Sequence, residues 1–109
     1  MSISEDCFSV TAADAGDVYT VVCSGEVDAA AAKPLRDATL LALNSRRPTI
    51  VIDLREVTFI DSTGLSSLLL AHKAAEIAGV ALQVTEACPA VMRTFATAGV
   101  DDLFEPPPD

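Results

Sequence analysis

Tryptophan is absent from these 109 residues, tyrosine occurs once and Lys plus Arg together only seven times. With so few aromatics and half of the chain apolar, the core has to be built from aliphatic side chains. Sixteen acids against seven bases give a formal charge of −9. Nucleic acid and anionic membrane are bound mainly through Lys and Arg, so a surface of this sign points away from both. The bases are also scattered (Lys33, Arg36, Arg46, Arg47, Arg55, Lys73, Arg93), and only Arg46 and Arg47 are adjacent. No apolar run approaches the roughly 18–20 residues of a membrane span. The opening MSISEDCFSV lacks the basic-then-apolar layout of a signal peptide, so the expected setting is cytoplasmic. Three cysteines, Cys7, Cys23 and Cys88, form no CxxC pair, which argues against a disulfide framework or a zinc site. Their plain role is that of small buried hydrophobes. No metal is expected.

The length suits a single domain spanning 1–109, with a core at about 7–105 and a Pro-rich tail at 106–109. CFSVTAA and VYTVVCS place β-branched and aromatic residues at near-alternating positions on either side of DAGD, a turn composition. They predict a hairpin with strands at about 7–12 and 18–24. GEVD closes the second strand, and AAAAKPLRDATLLALNS predicts a helix with Pro34 in its first turn, where a missing N–H costs nothing. Leu35, Ala38, Thr39, Ala42 and Leu43 make its inward stripe. TIVIDL is a continuous apolar run, hence a central strand buried on both faces. A second helix is predicted over about 63–77, closed by Gly79, then a strand in VALQVTE. PAVMRTFATAG predicts a third helix, and VDDLFE a short last strand. The order ββαβαβα(β) is that of an α/β domain, a mixed β-sheet with helices against it.

Between the last central strand and the second helix stands FIDSTGLSSLLLAHK. Serine nucleophiles need a base within hydrogen-bond reach. The only histidine, His72, lies ten residues along the same predicted helix, roughly 15 Å away at the helical rise. DSTG is not a P-loop, and no spacing among Glu26, Asp28, Asp53, Glu56 and Asp61 marks a catalytic pair, so an enzyme is not expected. Two other roles stay open for the corner. Asp61 or Ser62 can cap the helix, worth about 1 kcal/mol. Alternatively, a hydroxyl at a helix N-terminus can accept a phosphate without breaking the helix, since the dipole and free N–H groups favour the added anion. That adds about −1.5 to −2 charges beside Asp61, which suits a docking switch.

The stretch VIDLREVTFIDSTGLSSLLLAHK resembles the signature of STAS domains, the sulfate-transporter and anti-sigma-factor-antagonist domains. GEVD at 25–28 resembles a second block of that family, and PAVMRTFATAGVDDLF its third helix and the segment beyond. The three blocks stand in register over residues 7–105. The resemblance implies a mixed sheet with helices packed largely on one side and, for a free-standing domain, the role of a bacterial anti-sigma factor antagonist, a regulator of transcription by partner switching. In that family the serine of the D-S-[ST]-G-L motif is phosphorylated by an anti-sigma factor with serine-kinase activity, and Ser62 holds that position. Asp61, Thr63, Gly64 and Leu65 match the residues around it; Gly25, Glu26 and Asp28 match the neighbouring loop of the docking face. A PP2C-type phosphatase would restore the binding form. ATP and Mg²⁺ belong to the kinase, so this chain is expected to need no cofactor. Family members commonly end in a further helix, whereas this sequence runs into EPPPD after Phe104.

A second class is the alternative: a non-switching adaptor subunit of a lipid-transport ABC system or a stress-signalling assembly, against which the complete DSTGL argues for the switch. Oligomeric state is open between monomer and weak dimer. One redox expectation concerns the hairpin. If it turns about Ala15, Phe8 faces Val22, Val10 faces Thr20, and Cys7 faces Cys23, close enough for a reversible cross-strand disulfide.

Overall fold

The computed structural model describes residues 2–5, 8–85 and 87–99. Five strands form one sheet in chain order: β1 (Ser2–Glu5), β2 (Phe8–Ala15), β3 (Val18–Val27), β4 (Thr49–Ile60) and β5 (Ala81–Val84). The first three are antiparallel neighbours, while β4 joins β3, and β5 joins β4, in parallel. Parallel neighbours need crossover connections. Here these are α1 (Ala32–Asn44) and α2 (Ser62–Ala78), and α3 (Pro89–Ala98) follows β5. The mixed α/β sheet with its three helices is the architecture expected. The final strand expected in VDDLFE and the Pro-rich tail lie outside the described residues.

Alternation puts one face of β2 to β5 into the core, and Thr49 and Val51 on the other face of β4 are only half-buried, so TIVIDL is central but not buried on both faces as expected. Phe8 and Val10, Val21 and Cys23, Ile50 and Ile52, and Leu82 and Val84 are all buried. α1 lies over β2 and β3, α2 over β3 to β5, and α3 contacts β4. Leu35, Ala38, Thr39 and Ala42 form the buried stripe of α1 as expected, while Leu43 is half-buried. Thr39 is buried without penalty because its hydroxyl donates to Leu35 O at 2.9 Å. Pro34 sits in the first turn of α1, as its missing N–H requires.

The expectations needed further correction in three places. The segment Ser2–Glu5 adds a strand at the edge of β2. The hairpin register also differs. Gly16, at φ +61°, takes the left-handed conformation that begins a two-residue loop, so Ala15 pairs with Val18 rather than forming the turn centre. Phe8 therefore faces Gly25, and Val10 faces Cys23. The register that set Cys7 opposite Cys23 is not the one formed, and Cys7 itself lies outside the described residues. Cys23 is fully buried, and burial, aided by the charge of Asp53, pushes its thiol up to about 12.

The third correction concerns β4, which runs on through REVTFI to Ile60. Val22 pairs with Asp53 but Ser24 with Glu56; Gly25 pairs with Val57 but Glu26 with Phe59. At each step β4 spends one residue more than β3, which is a bulge. Alternation fails as a result, and Leu54, Val57 and Ile60 point inward at three-residue intervals. Asp53 stabilises the first bulge. Its carboxylate accepts from Arg55 N at 3.0 Å, Arg55 Nη2 at 2.6 Å and Thr85 Oγ1 at 3.3 Å. The Arg55 side chain is the main reason that this buried carboxyl is held below its ordinary range, against the opposing effect of burial.

Candidate functional site

The bulges deliver the ends of β3 and β4 to one corner, beneath the N-terminus of α2. Asp61 there has extended backbone, and its carboxylate accepts from Gly64 N at 2.8 Å. Of the two residues that could have capped α2, Asp61 does so, satisfying one of the orphan donors of the first turn. Ser62 and Thr63 become the first two helical residues, both exposed. Among the described residues the Ser62 hydroxyl makes no hydrogen bond, so the cap leaves it free.

Close approach holds the corner together. Asp61 N donates to Val27 O at 3.3 Å, tying the start of α2 to the end of β3. A Cβ on Gly64 would lie 2.0 Å from Val27 O and 2.8 Å from Val27 Cγ1, so only glycine fits at that turn of helix. Directly after Val27, the Asp28 carboxylate accepts from Ala30 N at 3.0 Å and starts the 3-10 turn Ala29–Ala31 that leads into α1. The residues of GEVD and DSTGL, more than thirty positions apart in sequence, thus form one surface.

Each expected site residue has a distinct place in it. Glu26, Ser62 and Thr63 are exposed; Gly25, Asp28 and Asp61 are half-buried; Gly64 and Leu65 are buried. The last two therefore shape the corner from below. Glu26, Asp28 and Asp61 make the surface acidic. Sequence reasoning passed over Phe59, which is 48% exposed and lies across from Glu26 in the β3–β4 pairing. Thr58 beside it donates to Gly25 O at 3.4 Å. The period-2 pattern of a regular strand could not reveal Phe59, because the bulge changes which residues point outward. The exposed ring gives the acidic corner an apolar anchor. His72 stays on α2, 3.7 Å from Glu76, and takes no part in the corner. Among the described residues no group of three or more His, Cys, Asp or Glu could hold a metal ion, and no helix is long and apolar enough to cross a membrane.

Comparison with known proteins gives consistent findings. A family model described as the Mlab STAS domain matches residues 10–105. A STAS-domain containing protein of Pseudomonas aeruginosa (strain UCBPP-PA14) is 31% identical over 91 residues, 83% of this chain and 88% of that protein. Among solved structures, an anti-sigma factor antagonist from Mycobacterium paratuberculosis matches with a TM-score of 0.76 at 28% identity, covering 97% of this chain and 90% of that one. The anti-sigma factor antagonist SpoIIAA in its unphosphorylated form matches at 0.75, covering 92% of this chain and 89% of that one. At 18% identity, that second likeness is one of fold alone.

Proposed function

This chain belongs to the STAS-domain family, and on that premise we propose that it is an anti-sigma factor antagonist. In its unphosphorylated form it docks on a kinase-type anti-sigma factor through the corner of Gly25, Glu26, Asp28, Asp61 and Thr63, and the sigma factor is released. Phosphorylation of Ser62 ends the docking; a PP2C-type phosphatase reverses it. The observation that carries the reading is the division of labour at the start of α2. Asp61 serves as the cap, so Ser62 is exposed at the first helical position with no structural duty. A phosphate there gains from the helix dipole while adding about −1.5 to −2 charges to a surface that already holds three acids. The fold stands, and the electrostatics of the docking face change.

The test is intact mass, before and after incubation with candidate kinase-type anti-sigma factors and ATP. One added phosphate on the natural chain and none on Ser62→Ala is expected, with Ser62→Ala binding constitutively and Ser62→Asp binding weakly. A chain that co-purifies with an assembly yet gains no phosphate from any candidate would instead be the adaptor.

A further inference from the structure

Next to the corner, a groove of 360 Å³ lies between α1 and α2, within the range of small-molecule sites. It exists because the facing positions are small: Ala32 on α1, Ala71 and Ala74 on α2. Among the α1 residues that line it beside Ala32 and Thr39, Lys33, Arg36, Leu40 and Leu43 fall on one helical stripe, two cations followed by two leucines, and Ala29 lines it from the turn before the helix. α2 supplies Ser67 and Leu70. Both helices follow parallel strands, so Ser67 lies toward the cationic end and Ala74 toward the apolar end. Leu40 and Leu70 stand 50% and 71% exposed beside the opening, large apolar surface with no cover among the described residues.

Charge separates this groove from an ordinary apolar crease. Lys33 Nζ is 3.0 Å from Asp37 and Arg36 Nε is 3.9 Å from the same carboxylate. The exposed side chains of Lys33 and Arg36 thus share the one carboxylate of Asp37, leaving one positive charge in excess among these three residues, in a chain whose total is −9. The occupant that completes both ends is a single negative charge on an apolar tail. Seven residues separate Arg36 from Leu43, about 10 Å along the helix, which suits an alkyl chain of about eight to ten carbons. We propose that the α1–α2 groove binds a medium-chain alkyl carboxylate, its head between Lys33 and Arg36 and its tail over Ala71 and Ala74, against Leu40 and Leu70. Ser67 donates to Thr63 O at 3.1 Å, so the head of this ligand would sit one helical turn from the proposed phosphorylation corner. The inference does not depend on the anti-sigma role, and phosphorylation assays do not bear on it.

The experiment is an amide-resolved NMR titration of the whole chain with decanoate, with octanoate and decyltrimethylammonium in parallel. Expected are saturable shifts confined to α1 and α2, about tenfold weaker binding for octanoate, and none for the cation. Lys33→Gln combined with Arg36→Gln should weaken decanoate at least about tenfold. Ala74→Leu, which fills the floor and leaves both charges, should weaken it similarly. These substitutions are at exposed or half-exposed positions, and an unchanged amide spectrum without ligand verifies the fold. Absent or non-saturating shifts, equal binding of the cationic amphiphile, or undiminished binding by the double variant would each overturn the proposal. So would association with anionic lipid vesicles in place of monomeric decanoate.

Discussion

The two ends of the β3–β4 pair obey different rules. From Val18 opposite Thr49 to Val22 opposite Asp53, the strands run in strict register, with Val21, Ile50 and Ile52 buried between half-buried neighbours up to Asp53. That end is fastened at the surface. Arg47 Nε meets Asp14 at 2.8 Å, and Thr49 N donates to Asp17 O at 3.3 Å. Beyond Asp53 two bulges break the register, side chains point inward every third residue, and the strand ends pack directly under α2. The regular end serves stability by repetition, each residue interchangeable with another of similar shape. The bulged end aims individual residues, and the candidate site stands there. Irregular strand geometry is costly unless side chains stabilise it, which is why buried Asp53 with Arg55 and Thr85 marks the border between the two.

Substitutions at the two ends should differ in size accordingly. Gly64→Ala should have the largest effect, a loss of about 3 kcal/mol or more, because its Cβ meets backbone that cannot swing aside. Urea unfolding would measure it, and an unchanged midpoint would show that α2 can slide away from Val27. Asp53→Ala should cost about 1.5–3 kcal/mol at neutral pH, by leaving Arg55 N and Thr85 Oγ1 without their charged acceptor. Its effect should also depend on pH. The folded carboxyl titrates below its ordinary value of 3.8, so its contribution is complete above that value and lost as pH falls through the lower folded one. The difference between natural chain and variant should therefore shrink on acidification below about pH 4, and a gap that stayed constant down to the acid limit would refute the assignment. The smallest effect belongs to the regular end. Arg47→Ala breaks an exposed ion pair, and the slight loss of melting temperature should fade as salt is added.

Much of the architecture was legible from residue pattern. The element order, the inward stripe of α1, the positions of Gly79 and Gly99 at helix ends and the DSTGL corner all follow from local chemistry that acts over a few residues. The hairpin register was misread because DAGD permits more than one turn. Gly16, with its positive φ, moved the turn centre and carried Cys23 opposite Val10. β1 was missed because SISE has little strand propensity of its own; it is recruited by the free edge of β2.

At the site the same division holds. The sequence by itself determined which chemistry is present: a carboxylate and a hydroxyl side by side at a helix start, either able to cap it, a glycine two residues on, and acids in GEVD. These are properties of single residues and of their neighbours a turn away. Only the tertiary structure decided that GEVD and DSTGL form one surface, that Phe59 faces outward from it, and that α1 and α2 leave a groove with a charged and an apolar end. Each of those depends on contacts between segments far apart in the chain, and on two bulges whose extra residues no periodic pattern encodes.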